Sequence, residues 1–261
     1  MGFSATWLAL REPADHAARD AGLLRAAANA AGAAPVIVDL GCGTGSTLRA
    51  FEGEFGQMPE WRLVDNDPTL LDQAAQAAAG SVSTHQLDLR NLTSVPLKTA
   101  TLVTASALLD LCSQVWLEQL AGLLSHHAVP FYAALNYDGT MRWSPADPAD
   151  AAVCAAFNRH QTSDKGFGPA LGPNSASAIA QVFDALGYRV VTADSPWRLD
   201  RAQAALQTEL LQGIASAAAA AGEAQAEDWL QRRLALIDTA TCLVGHIDLL
   251  ALPPARKAAH Q

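Results

Sequence analysis

The run Asp39-Leu40-Gly41-Cys42-Gly43-Thr44-Gly45 sets three glycines at alternate positions behind an acid. Glycines spaced this way let a chain turn tightly and let a ligand lie against backbone N–H groups at the start of a helix. Two further acids follow at intervals that suit a bound nucleoside. Asp65 stands 20 residues past Gly45, where a carboxylate can accept from ribose hydroxyls. Asp88 lies where an acid or its neighbouring backbone can meet an adenine amine. Ser46 occupies the place of the third glycine in G-x-G-x-x-G, which weakens a dinucleotide reading without removing it.

The elements around these residues follow from hydrophobic pattern. Val36–Leu40 is a short apolar run that enters the glycine turn, so a buried strand is expected there. Further strands are expected at Trp61–Asp65, His85–Leu87, Leu102–Ser106, Ala128–Leu135, Tyr188–Ala193 and Leu243–Leu250. Helices are expected at about 14–31, 44–53, 70–79, 116–124, 175–186, 201–221 and 227–236. Strand and helix alternating at this spacing specify an α/β domain with a doubly wound, mostly parallel sheet. The rhythm breaks at 136–173, a stretch rich in Gly, Pro, Asp and Asn, with one short helical piece expected near 149–158, that reads as an insertion on the C-terminal edge of the sheet.

Other residues could do chemistry nearby. Asn136-Tyr137-Asp138-Gly139 leaves the fifth strand at the end where ligands sit in open α/β sheets, and Tyr137 could wall a reaction site. The same residues are turn-formers. His160 and Lys165 lie in His160-Gln161-Thr162-Ser163-Asp164-Lys165-Gly166-Phe167-Gly168-Pro169. A neutral His160 could take a proton from a nucleophile, and Lys165 could pair with a substrate anion or with Asp164. A solvated loop hinged at Gly166 and Gly168 is the plainer alternative. Ser106 and Asp110 either contact a ligand after the fourth strand or cap a turn. His246 and Asp248 point to one face of the last strand and suggest a structural pair.

The motif set resembles that of the class I S-adenosylmethionine-dependent methyltransferases. Residues 39–45 match their D/E-x-G-x-G-x-G in full. Val64-Asp65-Asn66-Asp67-Pro68 is similar to the second motif, whose acid holds the cofactor ribose. Gln86-Leu87-Asp88-Leu89 is similar to the third, beside the adenine, and Leu102–Leu111 to the fourth strand and the loop under the cofactor. The resemblance covers 34–135 motif by motif and 174–252 by element order. It implies a seven-stranded sheet, with 1–33 as an N-terminal helical cap, 34–252 as the domain, 136–173 as a lid and 253–261 as a frayed tail. It also implies S-adenosyl-L-methionine held by Asp39, Gly41, Cys42, Gly43, Gly45, Asp65, Asn66, Asp88, Leu89 and Ser106. Arg19 would meet the methionyl carboxylate, although a solvated helix face would also suit it. The acceptor would lie against Asp110, Asn136, Tyr137, His160 and Lys165, with His160 or Tyr137 assisting methyl transfer to oxygen or nitrogen. Alternatives are another use of the same cofactor, such as cyclisation of its aminobutyrate arm, or an NAD-type oxidoreductase.

Composition narrows the partners. The chain has 261 residues, with 26 acidic against 17 basic and a net charge of −9. No cluster of Lys and Arg offers a footprint for nucleic acid. The fourth strand is not followed by Asn/Asp-Pro-Pro-aromatic, the sequence by which amino-directed methyltransferases hold adenine or glutamine, which counts against those substrates. A small-molecule acceptor is therefore expected. Cys42, Cys112, Cys154 and Cys242 form no C-x-x-C pair, so neither a metal site nor a disulfide framework is expected and a reducing cytoplasm fits. No segment has the ~20 uninterrupted apolar residues of a membrane helix. Met1-Gly2-Phe3-Ser4-Ala5-Thr6 fits the loose myristoylation pattern, which is short enough to arise by chance in an alanine-rich chain.

Overall fold

The computed structural model describes residues 4–78 and 80–255. Most of the expected myristoylation pattern's head (1–3), the expected helix end at Ala79 and residues 256–261 of the expected tail lie outside that range. The chain forms strands β1 (Val36–Leu40), β2 (Glu60–Asp65), β3 (Ser81–Gln86), β4 (Leu102–Ser106), β5 (Phe131–Ser144), β6 (Arg189–Asp194), β7 (Trp197–Leu199) and β8 (Thr241–Leu252). Its helices are α1 (Ala5–Ala18), α2 (Ala21–Ala30), α3 (Ser46–Ala50), α4 (Pro68–Ala77), α5 (Gln114–His127), α6 (Asp150–Gln161), α7 (Ser175–Ala185), α8 (Ala204–Ala220) and α9 (Ala226–Leu234).

The strands form one sheet in the order β3-β2-β1-β4-β5-β8-β6, with β7 paired to β8. The pairs from β3 to β5 are parallel, and β8 runs antiparallel to β5, β6 and β7. The seven expected strands are present, and the eighth, β7, is a three-residue addition. The strand order reverses between β1 and β4, which opens a crevice at their C-terminal ends.

Alternation along β1 serves two core layers. Val38 and Leu40 face Leu117, Leu120 and Leu124 of α5 and Ile179 and Phe183 of α7. Ile37 faces Leu23, Leu24 and Ala27 of α2 and Leu71 and Ala74 of α4. A third cluster packs α6, α8 and α9 on the far end of β5 and on β7, around Trp143, Trp197 and Trp229. Buried Arg233 is held there by Asp150, which also accepts from Trp229 Nε1 at 2.8 Å.

Two departures from the sequence reading matter for the site. The helix expected over 14–31 is two helices. Asp20 caps the second, with its carboxylate accepting from Leu23 N at 2.7 Å, and its own N–H donates to Asp248 Oδ2 at 3.0 Å. The fifth strand does not end at Leu135 but continues to Ser144 through irregularities in its pairing with β8. Leu135 turns there with φ +55°, and its N–H is taken up by Asp248 Oδ1 at 2.8 Å.

Candidate active site

The crevice begins at the turn between β1 and α3. Gly41, Gly43 and Gly45 have φ of +64°, +53° and +86°. Side chains with a Cβ rarely adopt this left-handed region. A Cβ on Gly43 would also stand 3.0 Å from Leu8 Cδ1 of α1, so glycine keeps the backbone open where the roof comes close. Asp65, at the end of β2, fixes the turn: Oδ2 accepts from Gly43 N at 2.9 Å and Oδ1 from Asp67 N at 3.1 Å. A carboxylate offers about four lone-pair positions, so two remain for a ligand.

Helix α1 forms the roof. Glu12 receives Arg49 Nε and Nη2 of α3 at 2.5 and 2.7 Å, and His16 Nε2 lies 3.1 Å from Ser46 O. At the end of α1, Arg19 Nη2 donates to Ser106 Oγ of β4 at 2.8 Å. These contacts hold Leu8 and Arg11 over the glycine turn, and both line an open cleft.

Two buried charged groups, neither itself on the cleft wall, are only partly satisfied. Arg19 is 8% exposed, and its Nε and Nη1 donate to nothing. Asp39 is 1% exposed; Oδ1 accepts from Thr104 Oγ1 at 2.7 Å while Oδ2 is unsatisfied. Burial raises the Asp39 carboxyl to about 7, although Thr104 and the charge of Arg19 oppose the shift. Unsatisfied buried polar atoms are costly, and a pair of opposite charge fits a ligand carrying a carboxylate and an ammonium.

The expected cofactor residues divide by position. Gly41, Gly43, Asp65 and Asn66 line the cleft, as do Asp88, Leu89 and Ser106. Asp88 is exposed and bound by Arg90, whose hydrogen bonds hold its carboxyl down to about 2. Leu89 O accepts from Trp116 Nε1 at 2.7 Å, which ties the backbone after β3 to α5. Cys42 is buried with its thiol on Gly43 O, and burial pushes that thiol well above its ordinary range. Gly45 sits behind the turn, against Ala74.

The expected acceptor residues are more dispersed. Lys165 lines the cleft together with Phe167, and its Nζ lies 3.1 Å from His160 Nδ1. With Lys165 charged, that nitrogen can only accept. The neutral ring then carries its proton on Nε2 and has no lone pair left for a substrate proton, so this geometry does not suit His160 to the expected role of base. Tyr137 is buried on the third cluster, donates to Asn158 Oδ1 at 2.8 Å and has its phenol pushed upward by burial, so it suits a wall better than a base. Asn136 is fully buried, and its Nδ2 braces the β5 irregularity by donating to Ala133 O and Ile247 O at 3.0 and 2.9 Å. Asp110 sits in a 3-10 turn after β4, flanked by the cleft residues Leu108 and Leu111. Its Oδ1 is buried and unpartnered, and burial raises its carboxyl to about 6.

Sequence reasoning gave no site role to Leu8, Arg11 or Phe167, which line the cleft. Nothing local marks them, because they reach the cleft only when α1 and the loop after α6 fold over it. It also paired His246 with Asp248. Asp248 instead accepts from Tyr132, Leu135 and Asp20, while His246 lies between Trp197 and Tyr137 at ring distances of 5.1 and 6.2 Å. Among the described residues, no three His, Cys, Asp or Glu side chains gather in a group that could hold a metal ion.

The family model for methyltransferase domains matches residues 37–128, the segment from β1 to the end of α5. The chain has the class I methyltransferase fold. The family uses S-adenosylmethionine. No curated protein matches the chain in sequence. Among solved structures, the YcgJ protein from Bacillus subtilis is 16% identical with a TM-score of 0.52, covering 90% of this chain and 98% of its own. The cyclopropane synthase MmaA2 from Mycobacterium tuberculosis is 12% identical with a TM-score of 0.54, covering 95% and 94%. A cyclopropane-fatty-acyl-phospholipid synthase-like protein from Lactobacillus casei is 13% identical with a TM-score of 0.53, covering 97% and 95%. At these identities the likeness is one of fold. No helix among the described residues is long and apolar enough to cross a membrane.

Proposed function

We propose that this protein binds S-adenosyl-L-methionine in the cleft under α1 and transfers its methyl group to an oxygen or nitrogen of a small molecule in the cytoplasm. The observation that carries the reading is the set of unfilled acceptors and donors at the glycine turn. Asp65 has room for two ribose hydroxyls, and Arg19 and Asp39 present orphaned charges of opposite sign where an amino-acid end would lie. Arg19 with Ser106 would hold the carboxylate, Asp39 the ammonium, and Asn66, Asp88 and Leu89 the adenosine end. The backbone of Gly41, Cys42, Gly43 and Gly45 lets the ligand approach closely.

When bound, the cofactor supplies a methyl carbon already made electrophilic by its sulfonium. The chain then has to align a nucleophile and keep water away. Leu8, Leu108 and Phe167 cover the cleft with apolar surface. Asp110, with its unpartnered Oδ1 and a carboxyl raised to about 6, would accept the proton that the acceptor loses. Segment 136–173 forms the acceptor side, with Tyr137 as a wall, Asn136 as a brace, and His160 and Lys165 at the rim; residues 1–33 act as the cap.

Calorimetric titration with adenosylhomocysteine and with NAD tests the cofactor reading. Saturable binding of adenosylhomocysteine alone is expected. Binding of NAD in its place would replace the reading with a dehydrogenase.

A further inference from the structure

We propose that the methyl acceptor carries an anionic group, a carboxylate or a phosphate, and that Lys165 with His160 holds it at the outer end of the cleft. The inference rests on the cofactor reading above and adds to it the class of substrate.

Lys165 is a partly buried ammonium on the cleft wall. Among the described residues its one hydrogen bond is to His160 Nδ1, and no carboxylate pairs with it. The neighbouring acid is already engaged: Asp164 Oδ1 accepts from Gly166 N at 2.7 Å and Gly168 N at 3.0 Å. Arg11, the other cation on the wall, is neutralised by Asp15 through bonds of 2.9 and 3.1 Å. Of the two cations that line the cleft among the described residues, Lys165 is thus the one without an acidic partner.

The loop that presents it is fastened to the scaffold. Asp164 bridges Pro169, Ser113 bridges Ala170, and Leu171 N donates to Cys112 O at 2.8 Å. Phe167 packs edge-on against Trp116 at 5.6 Å. A lysine meant only for solvation needs no such support. Burial already makes this ammonium easier to deprotonate, a cost that a bound anion offsets. By accepting the Lys165 hydrogen bond at Nδ1, neutral His160 keeps its own proton on Nε2 and brings a second donor. Two donors on adjoining side chains match the several oxygens of a carboxylate or phosphate.

The test uses the protein saturated with adenosylhomocysteine and titrated with benzoate, phenyl phosphate and neutral benzyl alcohol. Binding is read by calorimetry and by the ring signals of 15N-labelled histidine. One of the two anions should bind saturably and shift His160, and the neutral alcohol should not. Which anion binds more tightly identifies the group. Lys165→Met should weaken that binding at least about tenfold without changing adenosylhomocysteine affinity, and Lys165→Arg should restore most of it. Equal anion binding by Lys165→Met, or no response to either anion, overturns the proposal. A loss of adenosylhomocysteine affinity in Lys165→Met also overturns it, by moving the ammonium to the cofactor's own carboxylate. Failure of the wild-type protein to bind adenosylhomocysteine would instead remove the cofactor reading itself.

Discussion

Replacing Asp65 by alanine probes the cofactor end most sharply. Its carboxylate uses one position on Gly43 N and one on Asp67 N, leaving two for ribose hydroxyls. Hydrogen bonds to a charged group are worth about 1.5–3 kcal/mol each. Losing two should therefore weaken adenosylhomocysteine binding by about 3 kcal/mol or more, over a hundredfold. The two freed N–H groups are within reach of water, so the fold should lose about 1 kcal/mol for each, a fall of a few degrees in Tm. Asp65→Asn keeps an oxygen for Gly43 N and should fall between wild type and Asp65→Ala. Calorimetry gives the affinities, and circular dichroism verifies that the variants are folded. A folded Asp65→Ala protein that binds within threefold of wild type would refute the placement of the ribose.

Three other perturbations have expected outcomes. Gly43→Val forces a branched side chain to φ +53° and toward Leu8, so it should cost at least tenfold in adenosylhomocysteine affinity and speed hydrogen exchange in α1; unchanged exchange and affinity would show that the roof does not rest on this turn. Arg233→Ala leaves Asp150 without its buried partner and should destabilise by about 3–5 kcal/mol in urea unfolding, whereas a loss under about 1 kcal/mol would mean the pair contributes little. Burial, and then the charge of Arg11, lowers the His246 pKa to about 3 from an ordinary 6.5, so the unfolded chain binds the proton first as pH falls. The stability this contributes is whole above the ordinary pKa and declines below it by about 1.4 kcal/mol per pH unit. Between pH 7.5 and 5 the wild type should lose about 2 kcal/mol more than His246→Gln, and equal losses would refute the burial argument.

The proposed cofactor half of this site is legible in sequence because it is local. The glycine turn, Asp65 and Asp88 each follow directly from the end of a strand, so strand position and residue type fix their place together. The proposed acceptor half is assembled from parts far apart in the chain. Leu8 and Arg11 arrive on a helix that the sequence reading began only after Pro13, since proline usually starts a helix, whereas α1 carries it inside. The break before α2 depends on Asp20 finding Asp248, 228 residues away, which no local pattern can announce. Strand β7 is three residues long and pairs only with β8, too short for alternation to register. Asn136 and Tyr137 look like a turn because Asn, Asp and Gly usually make one, yet the bonds from Asn136 to both strands carry β5 onward.

Methyl transfer itself is tested by the fate of the cofactor. The protein is incubated with S-adenosylmethionine labelled on its methyl carbon, together with a small-molecule extract, and both the nucleoside product and the labelled compound are identified by mass spectrometry. The account predicts adenosylhomocysteine in equal amount to a newly labelled acid bearing the methyl on oxygen or nitrogen. Methylthioadenosine as the product, or cofactor left unconsumed while bound, would contradict it.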